Sequence, residues 1–393
     1  MTPLFLSRPG ILSALGCGAD QTRARLFAGD VSGMVLEDGW LPTAPARVGR
    51  VVAELPPIPE ALARHASRNN RLLLAAFAQI EADFEAALAR HGRHRIGIVL
   101  GTSTSGIAEG EAAVAERQRT GSLPPGFSYE QMDIGDPAVF LARHLGIQGP
   151  AYTISTACTS GAKALISACN LIRAGFCDAV LTGGVDTLCR LTIGGFTALE
   201  STTADLCQPL SHNRRGINIG EGAALFLLSR QETPVMLLGA GESSDAHHIS
   251  APEPGGAGAS AAMLAALKDA GLPPSAIGYL NLHATATPKN DAMESIAVAR
   301  VFPDGVPVSG TKPLTGHALG AAGAIEAAFC WFSLTDPDGR LPPHIWDGEF
   351  DPELPHLDVT APGRRFNGPV RHAMSNSFAF GGNNASLIFG TAR

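Results

Sequence analysis

The chain has 393 residues, 45% hydrophobic and 17% charged, a globular balance that excludes a disordered polymer and leaves room for two domain-sized units or one large α/β body. A formal net charge of −7 without any basic run argues against a nucleic-acid partner, and no apolar run reaches the ~18 residues that a membrane span needs. Seven cysteines (17, 158, 169, 177, 189, 207 and 330) without a Cys-x-x-Cys pair predict reduced thiols in a cytoplasmic setting, not a disulfide framework or a zinc site. The apolar start "MTPLFLSRPGILSALGCGAD" lacks a basic leader and is broken by Arg8–Pro9, so it is not read as a signal peptide.

In chain order, "RIGIVLGTSTSG" (95–106) reads as a buried strand ending in a Gly/Ser/Thr turn. "YTIST" is a second strand, and "LISACNLIRAG" has helical apolar spacing with a stop at Gly175. "CDAVLTGGVDT" (177–187) and "GAALFLLSR" (222–230) are further strands. After Pro234 the grammar restarts: strand "PVMLLGAGESSD", helix "GASAAMLAALKDAGL", strand and loop "IGYLNLHATAT", helix "ESIAVARVF", strand and loop "VPVSGTKPLTGH", helix "GAAGAIEAAFCWFSL". "HAMSNSFAFGGNNASLIFG" closes the chain as two strands around a glycine turn. The alternation predicts a mostly parallel sheet covered on both faces, and the restart predicts a duplicated unit. Residues 1–233 then form an N-terminal half and 234–393 a C-terminal half, with sites at the carboxyl ends of strands.

"ISTACTSGAKALISAC" puts Cys158 between a strand and a helix. Such a thiol is either a buried small hydrophobe or a nucleophile whose thiolate the helix N-terminus favours. Two histidines stand at other strand ends, His283 in "NLHATATPKND" and His317 in "GTKPLTGHALGAAGAIEA", where Lys312 precedes His317 by five residues and Glu326 follows it by nine. A lone histidine is usually structural. Two of them with a candidate nucleophile make a catalytic reading worth pursuing.

"STACTSG", "HATATPKND", "GTKPLTGHALGAAGAIE" and "SNSFAFGGNNASLIFG", in that order, resemble the β-ketoacyl-acyl-carrier-protein synthases of the elongating Cys-His-His class, and the likeness spans nearly the whole chain. It implies an α/β thiolase-like fold, two related halves in five αβαβα layers, and a decarboxylative Claisen condensation. By that resemblance Cys158 takes an acyl chain as a thioester, malonyl-carrier protein loses CO₂, and the carbanion extends the chain by two carbons. The amides of Cys158 and Phe380 would form the oxyanion hole, and His283 and His317 would donate from Nε2 to the enolate. Lys312 and Glu326 would pair to fix the His317 loop, as a structural bridge or as a catalytic part. Thr285 and Thr287 would hold the phosphopantetheine arm, or simply cap their loop. Phe378 and Phe380 read as core aromatics, with Phe380 also the gate implied between acyl and malonyl sites. Thr104 would line the acyl pocket.

No metal and no cofactor beyond the carrier's own phosphopantetheine is expected. The implied partners are acyl carrier protein and a second ketosynthase-like chain, as a homodimer or as a heterodimer with a chain-length-factor-like subunit. Arg64, Arg68, Arg71, Arg214 and Arg215 are candidates for docking an acidic carrier. Chain-starting synthases carry His and Asn and thiolases a second Cys, so His283 and His317 favour elongation of carrier-bound chains. An idle chain-length-determining subunit is the alternative, against which the presence of Cys158 counts. The pattern departs from the family at Ala284 and Ala379, where glycine is usual, and at Asn383, where threonine is usual. Ala379 would stiffen a hinge if it sat at one. With a reduced loop near "TTADLCQPLSHNRRG", these departures point to a specialised synthase of the aryl polyene or type II polyketide branch.

Overall fold

The computed structural model describes residues 3–392. Its large sheet reads the same outward from the middle. One unit runs Leu4–Leu6, Gly222–Ser229, Ala179–Asp186, Ile96–Gly101, Ala151–Ile154; the other runs Val235–Ser244, Asn383–Thr391, His372–Phe378, Tyr279–Leu282, Pro307–Gly310 and adds a two-residue edge strand, Asp358–Val359, that the first lacks. In each unit the first two pairings are antiparallel and the last two parallel. Leu4–Leu6 and Val235–Ser244 join the units back to back. This is the duplication expected from the sequence. The sheet is mixed, however, where a mostly parallel one was expected, because each unit returns its last strand as a direct neighbour of the preceding one. In the second unit that return is the turn at Gly381 and Gly382 (φ +82° and +76°), a left-handed geometry that glycine adopts without strain.

Three of the hydrophobic cores pack the five layers together, the middle one on both faces of the central helices. In the middle, helices Ser160–Arg173 and Ala322–Leu334 bury Leu165, Ile172, Ile325 and Phe329 among strand residues of both units, such as Val99, Phe226 and Leu387. Outside the first unit, helices Arg68–Phe77, Glu81–His91 and Asp136–Leu145 cover Ile96, Ile98 and Leu100. Outside the second, helices Ala257–Ala270 and Pro288–Val301 cover Leu280, Leu282 and Val308. Strands covered on both faces must be apolar on both, which is why "IGIVLG" lacks alternation. The helix after Cys158 ends at Arg173, and Gly175 (φ +79°) provides the stop read from the sequence.

The two central helices meet backbone to backbone. A Cβ on Gly161 would lie 2.9 Å from the Ala324 nitrogen and the Gly320 oxygen, and one on Gly323 would lie 2.9 Å from the Ala162 nitrogen. Because the units are equivalent, the loop after Ala151–Ile154, which carries Cys158, and the loop after Pro307–Gly310, which carries His317, open towards the same point. All seven cysteines are free, and six of them are buried. Among the described residues no helix is long and apolar enough to cross a membrane. Gly161→Val should cost at least ~1–3 kcal/mol through overpacking; thermal unfolding of the purified variant checks it, and an unchanged melting temperature would contradict the contact.

Candidate active site

Cys158 follows a turn in which Ala157 takes φ +52°, a left-handed conformation that costs an alanine roughly 1–2 kcal/mol. The Ser160 hydroxyl braces it, donating to the Ala157 carbonyl at 2.6 Å and accepting from the Thr156 amide at 2.9 Å. The thiol points away from bulk water, with Sγ 2.9 Å from His317 Nε2. The His283 ring stands edge-on to that of His317 at 5.3 Å, and Phe378 packs edge-on against His283 at 6.1 Å. Cys158, His283, His317, Phe378, Phe380 and Thr285 are among the residues lining one cavity of about 300 Å³. The sequence-predicted trio converges.

Burial dominates its electrostatics. It pushes the Cys158 thiol up to about 12, with the Lys312 charge acting against it. It pushes His283 and His317 well below the usual imidazole range, and Lys312 adds to both shifts. Burial thus favours the neutral thiol and the neutral imidazoles. It works against the thiolate preference expected from the helix start, because a buried anion loses hydration.

Lys312 is itself buried. Its ammonium donates to Glu326 Oε1 at 2.6 Å and to the His283 carbonyl oxygen, and lies 3.5 Å from His283 Nδ1. The predicted ion pair thus exists, but it reaches His283 where the sequence reading tied it to the His317 loop. A donor at Nδ1 keeps the His283 proton on Nε2. His317 Nδ1 has no partner among the described residues, so neither tautomer of His317 forfeits a bond there.

The loop carrying His283 is held by two carboxylates that sequence reading passed over. Ala284 and Ala286 both have positive φ, +37° and +64°. Glu294 accepts the amides of His283 and Ala284 at 2.8 and 2.7 Å, and burial pushes it up to about 7. Asp291 accepts those of Ala286 and Leu210 at 3.2 and 2.8 Å. The signal lay in "NDAMES", where two acids three residues apart share one face of the helix behind the loop. Asp186 was also missed. Buried, it accepts from Thr102, Ser103 and Thr104 in one unit and, at 2.5 Å, from the Gly320 amide in the other.

Thr104 is spent there. Its hydroxyl donates to Asp186 at 2.8 Å, which gives it a bracing position, and it is not among the residues lining the Cys158 cavity. Thr285 and Thr287 do line the cavity, their hydroxyls 2.9 Å apart. The Phe380 ring lies 5.4 Å from that of Phe196 on helix Arg190–Ala198, a contact the sequence did not announce. Ala379 stands in extended backbone (φ −127°), so it is unstrained here and the left-handed turn falls on Gly381 and Gly382.

Of the proposed docking cations, Arg68 is tied to Glu221, Arg71 to the carbonyls of Leu55 and Pro56, and Arg214 to Asp351. Arg64 pairs with Glu130 on the surface, leaving Arg215 and, at the cavity rim, Lys289 as exposed cations. For metals, the Cys158, His283 and His317 ligand atoms all lie within 4.8 Å of one another. The Lys312 charge beside them opposes a cation.

A thiolase-like fold whose two units deliver a cysteine and two histidines to one buried point defines an enzyme of thioester chemistry. Residues 43–233 match the family pattern of the beta-ketoacyl synthase N-terminal domain, and residues 235–345 that of the C-terminal domain. The chain is 34% identical to a 3-oxoacyl-[acyl-carrier-protein] synthase 2 of Staphylococcus aureus, over 83% of this chain and 85% of that one. Among solved structures it is similar to the ketosynthase ApeO, in complex with its chain length factor ApeC, from Xenorhabdus doucetiae, with 47% identity, TM-score 0.94 and coverage of 100% and 98%. The ishigamide ketosynthase/chain length factor matches at 28% identity and TM-score 0.90, with each chain covered in full. The chain belongs to the beta-ketoacyl synthase family, acyltransferases that act as condensing enzymes.

Removing the Lys312 charge should let both imidazoles protonate more easily. Lys312→Met is expected to move the acid limb of the condensation pH profile upward. Neutral donors are lost as pH falls through the folded-state value, and the parent limb lies below the ordinary histidine range. An unmoved limb with a merely lower rate would reduce Lys312 to a structural part. Glu294→Ala, which frees the His283 loop, should slow condensation roughly 10²-fold while Cys158 still becomes acylated; single-turnover assays of the two half-reactions separate these effects.

Proposed function

We propose that this chain is the acylated, condensing subunit of a carrier-protein-dependent ketosynthase that elongates aryl polyene or related type II polyketide chains. The observation that carries it is the 2.9 Å contact of Cys158 Sγ with His317 Nε2, with His283 alongside in the same cavity.

In the first half-reaction Cys158 Sγ attacks the carbonyl of an acyl thioester on carrier protein. Its proton passes to His317 Nε2 and on to the departing pantetheine sulfur, which leaves the acyl chain on Cys158. The amides of Cys158 and Phe380 receive the oxyanion. In the second, malonyl-carrier protein enters the cavity past Thr285 and Thr287, which hydrogen-bond the arm. Its C–C bond to the carboxylate breaks, CO₂ departs, and Nε2–H of His283 and of His317 holds the enolate oxygen. The enolate carbon attacks the Cys158 thioester, the C–S bond breaks, and a 3-ketoacyl chain two carbons longer leaves on the carrier. Neutral imidazoles suit this, since they donate without drawing the malonyl carboxylate into an ion pair that would stabilise the ground state. The unpartnered Nδ1 of His317 lets that residue accept a proton in the first step and donate in the second.

The likeness to ApeO supports the pathway, and the two relatives described with chain length factors support a heterodimer with such a subunit over a homodimer. The same reading divides the chain at 233/234 into a nucleophile-bearing and a histidine-bearing half, places it in the cytoplasm, and requires no resident cofactor or metal. Incubation with saturated, unsaturated and aryl-primed acyl-carrier proteins, without malonyl donor, should add one acyl mass to the chain, and Cys158→Ala should abolish the adduct. Preference for the aryl-primed or unsaturated donor supports the polyene pathway. No adduct with any donor, alone or with a chain-length-factor-like partner, overturns the reading.

A further inference from the structure

The turn that bears Phe380 is closed on itself and tied mainly to its own unit. The Ala379 amide donates to the Asn383 carbonyl at 2.8 Å, and that of Gly382 to the Ala379 carbonyl at 3.1 Å. The Gly381 amide donates to Ile249, the Asp245 amide to Gly382, and the Asn384 side chain to Asp245, at 2.7, 2.8 and 2.6 Å. Among the described residues one hydrogen bond ties the turn to the other unit. Lys163, in the first turns of the helix that begins beside Cys158, reaches Asn383 Oδ1 at 3.3 Å and Glu242 Oε1 at 3.2 Å. Its side chain is only 16% exposed. Glu242 lies on Val235–Ser244, the strand whose last residue pairs with Asn383.

We propose that Lys163 is a positioning residue that latches the Phe380 turn to the nucleophile's helix. This rests on the ketosynthase reading above, in which that turn covers the acyl-enzyme. The latch is a single charge-assisted hydrogen bond, which is strong enough to bias a glycine turn and weak enough to open in every cycle. Glu242 keeps the ammonium neutralised and in place when the turn swings, so release of Asn383 strands no charge. Closed, the turn keeps Phe380 against Phe196 and Phe378 against His283, and the cavity over Cys158 stays narrow. Unlatched, it leaves that cavity open to water while malonyl is being decarboxylated.

The consequence is a change in partition. Loss of CO₂ leaves an enolate, which either forms the new C–C bond by expelling the Cys158 thiolate or takes a proton from water and leaves as acetyl-carrier protein. A loose turn favours the second fate. The test uses the full chain, with its partner subunit if acylation needs one, loaded with an accepted acyl-carrier protein and given malonyl-carrier protein. Acetyl-carrier protein and 3-ketoacyl product are counted by mass, and acylation of Cys158 is followed separately. Lys163→Met and Asn383→Ala should each raise the acetyl-to-condensed ratio roughly tenfold, the scale of one lost hydrogen bond to a charged group. The double variant should add nothing further, Lys163→Arg should restore the parent ratio, and acylation should persist throughout. Glu242→Gln, which keeps the latch, should leave the ratio close to parent. An unchanged ratio in both single variants, with acylation intact, overturns the latch and spares the ketosynthase reading. Absence of acylation in the parent overturns the ketosynthase reading instead. Should Lys163→Met fold poorly, Asn383→Ala decides alone, because it leaves the Lys163–Glu242 pair in place.

Discussion

Everything in this molecule depends on two helices touching where side chains leave no room. Gly161 and Gly323 let the backbones of Ser160–Arg173 and Ala322–Leu334 meet, and a methyl at either position would sit within 3 Å of the other helix. Each helix starts just beyond a strand-end loop of its own unit. Closing the distance between them therefore closes the distance between Cys158 and His317, which are 159 residues apart in the chain. Asp186 makes the same bridge in polar form, accepting from three residues of one unit and from Gly320 of the other. The active site is a seam, and its precision comes from the packing behind it.

Burial then sets the chemistry. Burial favours the neutral thiol and the neutral imidazoles, and the Lys312 charge adds to the shift of both imidazoles. A buried lysine needs compensation, which Glu326 and the His283 carbonyl provide. The field of Lys312 is nevertheless felt at both histidines. Such a site holds little charge before the substrate arrives. Charge that develops during the reaction meets donors already in place and little solvent to screen it.

Much of this was legible in the sequence. The strand–helix grammar repeats after Pro234, and the structure repeats its strand order at the same place, because apolar strands covered on both faces and helices stopped by glycine are local signals. Cys158, His283 and His317 could be picked out since each sits where a strand pattern breaks into small residues. What the sequence hid was partnership. Thr104 sits in a glycine-rich turn like a pocket residue, and only the fold shows Asp186 consuming its hydroxyl. Glu294 lies on an ordinary helix, and only the left-handed backbone at Ala284 and Ala286 shows why two carboxylates are needed behind it. Lys312 stands five residues from His317 in the chain, and only the fold shows that its ammonium also reaches the His283 carbonyl. Sheet direction was misread for the same reason: period and propensity give strands, whereas pairing is decided by where the chain returns.

The repeated unit has an evolutionary corollary. Among the described residues the Cys158 thiol crosses the seam through His317 alone, whereas the glycine crossing and Asp186 bridge the halves without it. Replacing the thiol by another small side chain removes the acyl acceptor and none of the contacts that hold the seam. A gene copy carrying that one change would encode a sibling unable to condense, released from selection on acylation and open to selection for shape or assembly. An architecture that separates the residues holding the seam from the residue reacting at it is predisposed to such division of labour.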